Sequence, residues 1–298
     1  MPAAPRPHFR WNLQSRSLSL GDRTMLIGVV NVTPDSFSDG GKFFSTAQAV
    51  EHAMQLLDEG ADILDLGGES TRPGARPSVS AQEELDRVLP VIETIQQERP
   101  GTVLSIDTYK AETARAAVTA GAEIVNDVSG FLWDPAMAAT CAELGCGVIL
   151  MHTRGRGSEW RAQPPLPHNE VVPLVLRELE ERSRAALAAG VQRAAIVLDP
   201  GFGFGKSLDE NYPLLAHFEE LHALGYPLLA GPSRKSFLGK TLASTCGRDV
   251  PPGQRDNATL AAITAAVLAG AHLVRVHSVQ AAREAIAIAD AIRDDSLA

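Results

Sequence analysis

The chain has 298 residues, 45% hydrophobic and 21% charged, a balance that excludes a disordered chain and predicts a folded globular protein. Acidic side chains outnumber basic ones 36 to 27, a net charge of −9, and no long basic run occurs, so nucleic acid is not an expected partner. Met1 to Thr24 lacks the apolar stretch of a secretion signal, and no later segment has the uninterrupted apolar length of a membrane span, so a cytoplasmic location without membrane contact is expected.

A short polar hairpin is expected over Phe9 to Leu20, turning near Gln14 to Arg16. Eight short apolar runs then read as strands: Met25 to Val30, Ile63 to Leu66, Val103 to Ile106, Ile124 to Asn126, Val148 to Met151, Ile196 to Leu198, Pro227 to Ala230 and Leu273 to Val276. Helix-period segments separate them. Ser45 with Gln48, Ser80 with Glu83 and Ser207 with Glu210 have capping-box spacing and predict three helix starts. The apolar stripes that follow are Val50, Ala53, Met54 and Leu57, then Leu85, Val88, Leu89, Ile92 and Ile95, then Leu214, Leu215 and Phe218. Strand and helix alternating eight times predict an α/β fold, a (β/α)8 TIM barrel with a short N-terminal hairpin lead, in preference to an open doubly wound sheet. Residues 1–24 are read as a hairpin extension and 25–298 as one barrel domain.

Thr33 to Phe44 and Gly67 to Val79 have the Gly-, Pro- and Ser-rich composition of lids, and Arg154 to His168 reads as irregular. Thr245 to Asp256 carries no assigned role. Cys141, Cys146 and Cys246 have no metal or disulfide spacing and read as buried small apolar side chains; His8, His52, His168, His217, His222 and His272 read mostly as surface or helix-face residues.

In a barrel, strand C-termini share one face, where the site lies. Collected there are Asn31, Glu69 with Thr71 and Arg72, Asp107, Asn126 with Asp127, His152, Asp199, Ser233 with Arg234 and Lys235, and Arg275 with His277. Asp107, Asn126 and Asp199 suit the guanidine-like edge of a flat heterocycle, as in a pterin or guanine, because carboxylates accept from ring N–H groups and an amide both donates and accepts. Each could instead cap the next helix. Arg72, Arg275 and His277 are cations or potential cations suited to phosphate oxygens, or else plain surface charge, a reading that fits Arg275 less because it sits in an apolar run where an unpaired charge is costly. Asn31 could help hold Mg²⁺ on a diphosphate, since that ion takes few protein ligands, or the segment after it could be an Asx-rich turn with no ion. The run Gly201-Phe202-Gly203-Phe204-Gly205-Lys206 is not a phosphate loop; its glycines fit either backbone approach to a planar ligand, with Phe204 as a stacking wall, or a tight loop alone. Lys235 reads as a site residue and Arg234 as a bridge to carboxylates outside the pocket.

Together the runs Asn31-Val-Thr-Pro-Asp-Ser-Phe-Ser-Asp-Gly-Gly41, Gly68-Glu-Ser-Thr-Arg-Pro-Gly74, Ser105-Ile-Asp-Thr108, Asn126-Asp-Val-Ser129, Asp199-Pro-Gly-Phe-Gly-Phe-Gly-Lys206, Ser233-Arg-Lys-Ser236 and Arg275-Val-His277 resemble the dihydropteroate synthases of folate synthesis, from about Met25 to the end. The resemblance implies a transferase that condenses 6-hydroxymethyl-7,8-dihydropterin diphosphate with 4-aminobenzoate, with Mg²⁺ as cofactor, a homodimeric assembly and sulfonamides as expected ligands. It implies pterin contacts from Asp107, Asn126, Met151, Asp199, Phe204, Lys235 and Arg275. Diphosphate contacts would come from Asn31, Arg72, Arg275 and His277, with the metal at Asn31. Thr71, Pro73, Lys235 and Ser236 would bound the aminobenzoate, and Asp107, Lys235, Arg275 and His277 would serve catalysis. The chain departs from the pattern after Met151-His152, where many relatives carry a methionine-glutamine pair and this one has Trp160 and a proline-rich stretch. A pterin-binding methyl transferase acting on a corrinoid protein would share the carboxylate and amide pocket, but would not need the Ser-Arg-Lys-Ser element.

Overall fold

The barrel is built by parallel strands whose inward and outward faces carry different chemistry. The computed structural model describes residues 4, 6–33, 42–69, 79–248 and 250–297. A hairpin of β1 (Phe9–Asn12) and β2 (Ser17–Leu20) leads into β3 (Met25–Asn31). There follow α1 (Lys42–Glu59), β4 (Ile63–Gly67), α2 (Ala81–Glu98), β5 (Val103–Asp107), α3 (Ala111–Thr119), β6 (Ile124–Asp127), α4 (Met137–Leu144) and β7 (Gly147–Met151). The chain continues through α5 (His168–Ala188), β8 (Ile196–Asp199), α6 (Asn211–Ala216), β9 (Leu229–Ala230), α7 (Ser236–Cys246), α8 (Asp256–Leu268), β10 (Leu273–Val276) and α9 (Val279–Leu297). Strands β3 to β10 form one eight-stranded parallel sheet in the order β8-β7-β6-β5-β4-β3-β10-β9, and a parallel bridge between Leu198 and Leu228 brings its two ends together. This is the expected TIM barrel with its hairpin lead.

Side chains alternate across a strand, so each one divides its residues between helices and interior. Facing the helices are Leu64 and Leu66, Leu104 and Ile106, Leu150 and Leu198, packed against stripes such as Ala53 and Leu56 of α1 and Val88, Val91 and Ile92 of α2. Leu56 and Val91 are buried where the sequence stripe placed Leu57 and Leu89, because the covered face of a helix is wider than one row. Facing the interior, Ile27, Ile63, Val103, Ile124, Ile149, Val197, Leu229 and Leu273 supply one apolar side chain from each strand. The hairpin closes this layer from below: Trp11, Leu13 and Leu20 join the same cluster, and the buried Trp11 indole donates to Ala195 O at 2.8 Å.

Two residues further along the strands the interior turns polar, with Asp65, Ser105, Asn126, Asp199 and Arg275 at the inward positions. The apolar floor is therefore at the N-terminal end and the site at the C-terminal end.

Only one of the three expected caps starts its helix. Ser80 accepts from the Glu83 N–H at 3.1 Å and begins α2. Helix α1 already begins at Lys42, before Ser45. At Ser207 the Glu210 carboxylate accepts from the Ser207 N–H at 2.7 Å, but α6 starts only at Asn211, because Glu210 is drawn inward to hold the neighbouring loop. Its carboxylate takes the Leu166 N–H at 2.7 Å and pairs with Arg154 at 3.2 Å. The Arg154 to His168 segment is irregular apart from one 3-10 turn at Trp160–Ala162. Cys141 and Cys146 are buried as expected, whereas Cys246 is exposed at the end of α7; all three are free thiols. His272 is not a surface or helix-face residue either, since it stands just before β10 and is fully buried. No helix among the described residues is long and apolar enough to cross a membrane.

Candidate active site

The polar inner layer is organised by one guanidinium. Arg275 donates from Nε to Asp65 Oδ2 at 2.6 Å and from Nη2 to Asp107 Oδ2 at 2.7 Å, tying β10 to β4 and β5. Asn126 donates from Nδ2 to the same Asp65 oxygen at 3.0 Å. Asp65 was absent from the sequence reading; an aspartate inside the apolar strand Ile63-Leu64-Asp65-Leu66 was the available signal, the counterpart of Arg275 in its own apolar run. Burial works against the charge on Arg275, but Asp65 and Asp107 outweigh it and raise its pKa. Burial pushes the Asp107 carboxyl up to about 7, with Arg275 drawing it back and Asp65 adding to the rise.

Across the mouth, Asp199 Oδ1 accepts the Gly201 N–H at 2.7 Å, so this carboxylate also caps its own loop. Burial raises it to about 6, opposed by that N–H and by Lys235. Asp127 lies beside Asn126 but takes the Ser129 and Phe131 N–H groups at 2.7 and 3.1 Å, so it shapes a turn. Lys235 sets its Nζ 3.8 Å from the centre of the Phe204 ring, a cation–π contact. Phe204, Met151 and Val128 form a small apolar cluster at the mouth, with Tyr109, Trp133 and Trp160 around it. Trp160 meets Phe204 edge-on at 5.1 Å and donates from its indole to Gly155 O at 3.0 Å, so the divergent loop supplies part of the wall.

Two buried basic side chains hold this wall from behind, and sequence reasoning missed both roles. Arg182 of α5 donates to Met151 O at 2.6 Å and to Thr153 O at 2.9 Å. Lys206 donates to Gly201 O at 2.8 Å and lies 3.3 to 3.4 Å from the carbonyls of Phe204 and His152; burial, then Arg182, depresses its pKa well below the ordinary lysine value. A side chain at Gly201 (φ 67°) would strike the His152 carbonyl, and one at Gly205 (φ 68°) the Arg154 backbone. These glycines therefore let the loop close onto the end of β7. His152 itself is fully buried beside Glu178, and burial, then Lys206, depresses its pKa, so it stays neutral.

The remaining residues are less centrally placed. His277 Nδ1 lies 2.9 Å from Ser233 Oγ, Ser236 is exposed at the start of α7, and Asn31 is half-buried at the end of β3. Arg234 points away from the mouth and pairs with Asp256, as its reading as an outside bridge expected. Thr71, Arg72 and Pro73, with most of both glycine-rich loops, lie outside the described residues. The structure thus brings Arg275 directly onto Asp107, links Asn126 to Arg275 through Asp65, and sets Lys235 onto Phe204.

The model of the pterin binding enzyme family matches residues 27–277. The dihydropteroate synthase of Bacillus subtilis (strain 168) is 44% identical over 264 residues, covering 89% of this chain and 87% of its own. That of Mycobacterium leprae (strain TN) is 45% identical over 266 residues, 89% of this chain and 92% of its own. The chain belongs to the dihydropteroate synthase family. Among solved members of the family, the Xanthomonas albilineans dihydropteroate synthase with 4-aminobenzoic acid superposes with a TM-score of 0.85 at 44% identity, covering 97% of this chain and 98% of that one. A Yersinia pestis dihydropteroate synthase in complex with a sulfonamide drug reaches 0.86 at 40% identity, over 96% of this chain and 100% of that one. These superpositions run along almost the whole length of both chains, and the site described above lies inside the matched span.

Proposed function

We infer that this chain condenses 6-hydroxymethyl-7,8-dihydropterin diphosphate with 4-aminobenzoate, giving 7,8-dihydropteroate and pyrophosphate. The observation that carries the reading is the acceptor-rich inner face of Asp107, Asn126 and Asp199 set beside a lysine-capped aromatic wall, Lys235 on Phe204. A planar heterocycle with donor N–H groups along one edge matches both.

In this reading the carboxylates and Asn126 hold the pterin edge, and Met151 and Phe204 bound its faces. Arg275, steadied by Asp65 and Asp107, keeps positive charge close to both ring and diphosphate. With Ser233 as the donor to His277 Nδ1, the ring proton sits on Nε2, the tautomer that would donate to a phosphate oxygen. Arg72 and Asn31 complete the diphosphate contacts, while Thr71, Pro73, Lys235 and Ser236 bound the aminobenzoate. The arylamine nitrogen forms a bond to the pterin methylene carbon, the carbon–oxygen bond to the diphosphate breaks, and the amine gives up one proton. An arylamine is unprotonated at neutral pH, so positioning and charge stabilisation of the leaving group carry the rate, with no strong base needed.

Asn31 supplies one neutral oxygen at a strand end, and no group of three His, Cys, Asp or Glu side chains suited to a metal occurs among the described residues. That donor set fits a Mg²⁺ ion held mainly by diphosphate oxygens and water, with Asn31 as its protein ligand. Bound there, the ion would neutralise charge on the departing pyrophosphate. A homodimer and a cytoplasmic location belong to the same proposal; a monomer mass by light scattering at micromolar concentration would remove the dimer.

The test is pyrophosphate release from the purified protein given the dihydropterin diphosphate and Mg²⁺, with and without 4-aminobenzoate, beside a Lys235→Ala control. Release that requires aminobenzoate and collapses in the control is the expected result. Tight pterin binding without release would instead make the chain a pterin-binding relative, and methyl transfer from methyltetrahydrofolate to a corrinoid acceptor would replace the reading altogether.

A further inference from the structure

Arg234 adopts a left-handed backbone, φ 57°, which is unfavourable for a side chain of its size. It occupies the third position of the turn Pro232-Ser233-Arg234-Lys235, closed by the Lys235 N–H on Pro232 O at 3.2 Å. A positive φ at that position is ordinarily met by glycine or asparagine. Such a residue persists only where its surroundings over-determine it.

Here the surroundings are the start of α8, which engages the N–H, the carbonyl and the guanidinium of Arg234. Its N–H donates to Thr259 Oγ1 at 3.0 Å, and its carbonyl accepts from the Arg255 guanidinium at 3.0 Å. Its own guanidinium is bidentate on Asp256, at 2.7 and 2.8 Å. Arg255 is anchored in turn by donating from Nε to Val250 O at 2.7 Å. The residues on either side of Arg234 both face the site: Ser233 holds His277, and Lys235 lies on Phe204. Thus the segment before α8, to which the sequence assigned no role, clamps the strained residue between two site residues.

We propose that Arg234 is a positioning residue, held left-handed by Asp256, Arg255 and Thr259 so that the turn presents Lys235 to the Phe204 wall. The proposal rests on the reading of Lys235 as a substrate-binding group. The Arg234–Asp256 pair is about a third exposed at each end, 29% and 32%, and pairs of that kind contribute little to global stability. Its effect is therefore local. Without Asp256 the strained backbone relaxes and Lys235 moves; glycine at position 234 takes the same backbone without strain and no longer needs the clamp.

The experiment compares wild type, Asp256→Ala, Arg234→Gly and the double variant. Two readouts are taken: kcat/KM for the dihydropterin diphosphate, and the rate at which a lysine-selective acylating reagent labels Lys235, followed by peptide mass mapping. Asp256→Ala is expected to lower kcat/KM about tenfold, equivalent to about 1.4 kcal/mol, and to speed labelling of Lys235. Arg234→Gly stays near wild type, and the double variant returns to the Arg234→Gly values in both readouts. A double variant no better than Asp256→Ala alone, or an Asp256→Ala protein unchanged in both readouts, overturns the proposal. If Asp256→Ala does not fold, Asp256→Asn replaces it with the same direction and a smaller size. The labelling readout needs no turnover, so an inactive wild type would sink the functional reading and leave the clamp to be judged by labelling.

Discussion

Arg275 donates its Nε–H to Asp65 Oδ2 at 2.6 Å, inside the barrel where Asp65 has no exposure to solvent. From this buried position Asp65 holds both Arg275 and Asn126.

Asp65→Asn therefore leaves a largely buried guanidinium short of one counter-charge. Breaking a buried pair in this way costs about 3–5 kcal/mol, far more than an exposed pair would. Urea unfolding should show that loss, and a change below about 1 kcal/mol would place the anchor of Arg275 on Asp107 alone. The Asp65 charge also raises the Asp107 carboxyl, so the acid limb of activity should move to lower pH in the variant.

The raised carboxyls make activity and stability depend on pH in opposite directions. Asp199 and Asp107, at about 6 and about 7, accept hydrogen bonds fully only when ionised, so pterin affinity should fall as pH drops through 7 to 6, not near 4. Their folded-state values lie above the unfolded ones, so the folded protein holds more protons between them, and their contribution to stability declines as pH rises through that window. A kcat/KM profile with its acid limb near pH 4 would contradict this. Asp199→Asn should weaken pterin binding by about 1–3 kcal/mol, because a buried donor loses its acceptor; calorimetric titration at pH 8 measures it.

His272 makes the opposite contribution to stability. Its Nδ1 accepts the Leu228 N–H at 3.1 Å, its Nε2 lies 2.8 Å from Pro7 O, and burial depresses its pKa to about 3. An unfolded histidine takes up a proton near 6.5, so stability from this group is complete above that value and is lost as pH falls below it toward 3. At pH 5 the loss is about 2 kcal/mol relative to neutral pH. The difference in unfolding free energy between pH 7 and pH 5 should shrink by about that amount in His272→Gln, and an unchanged difference would count against a neutral buried ring.

Trp11 tests the floor of the barrel. Trp11→Ala removes the largest side chain of the hairpin from a cluster that includes residues of all eight barrel strands, together with its bond to Ala195 O. A loss of about 3–5 kcal/mol is expected. Because the floor lies at the opposite end from the site, KM for both substrates should stay at the wild-type value in protein that remains folded. A raised KM would mean that the floor also sets the mouth.

Much of the architecture was legible because its signals are local. All eight strands occur at the predicted runs, the hairpin turns where its polar break stands, and Ser80 caps α2. Alternation and capping are written within a few neighbouring residues, so one sequence suffices to read them. The strand-end positions of Asp107, Asn126, Asp199 and Arg275 followed from the same reading once eight strands were assigned to a barrel.

Which of those residues touch was decided only in three dimensions. Asp65 and Arg275 are 210 positions apart and meet because the ring of strands sets β10 beside β3 and β3 beside β4. Glu210 resembled a helix cap and became a loop anchor, because a buried carboxylate takes the donors its surroundings offer. Lys206 lies in a run that was legible by its glycines, yet its role depends on the carbonyl of His152 arriving from another strand. Even the strain at Arg234 is visible only in the folded chain, since nothing in Ser-Arg-Lys-Ser announces a left-handed arginine until α8 is packed against it. Sequence by itself determined the elements, the barrel and the face on which chemistry gathers; tertiary structure decided the partners, because pairing charges across strands depends on closure of the barrel and not on any local pattern.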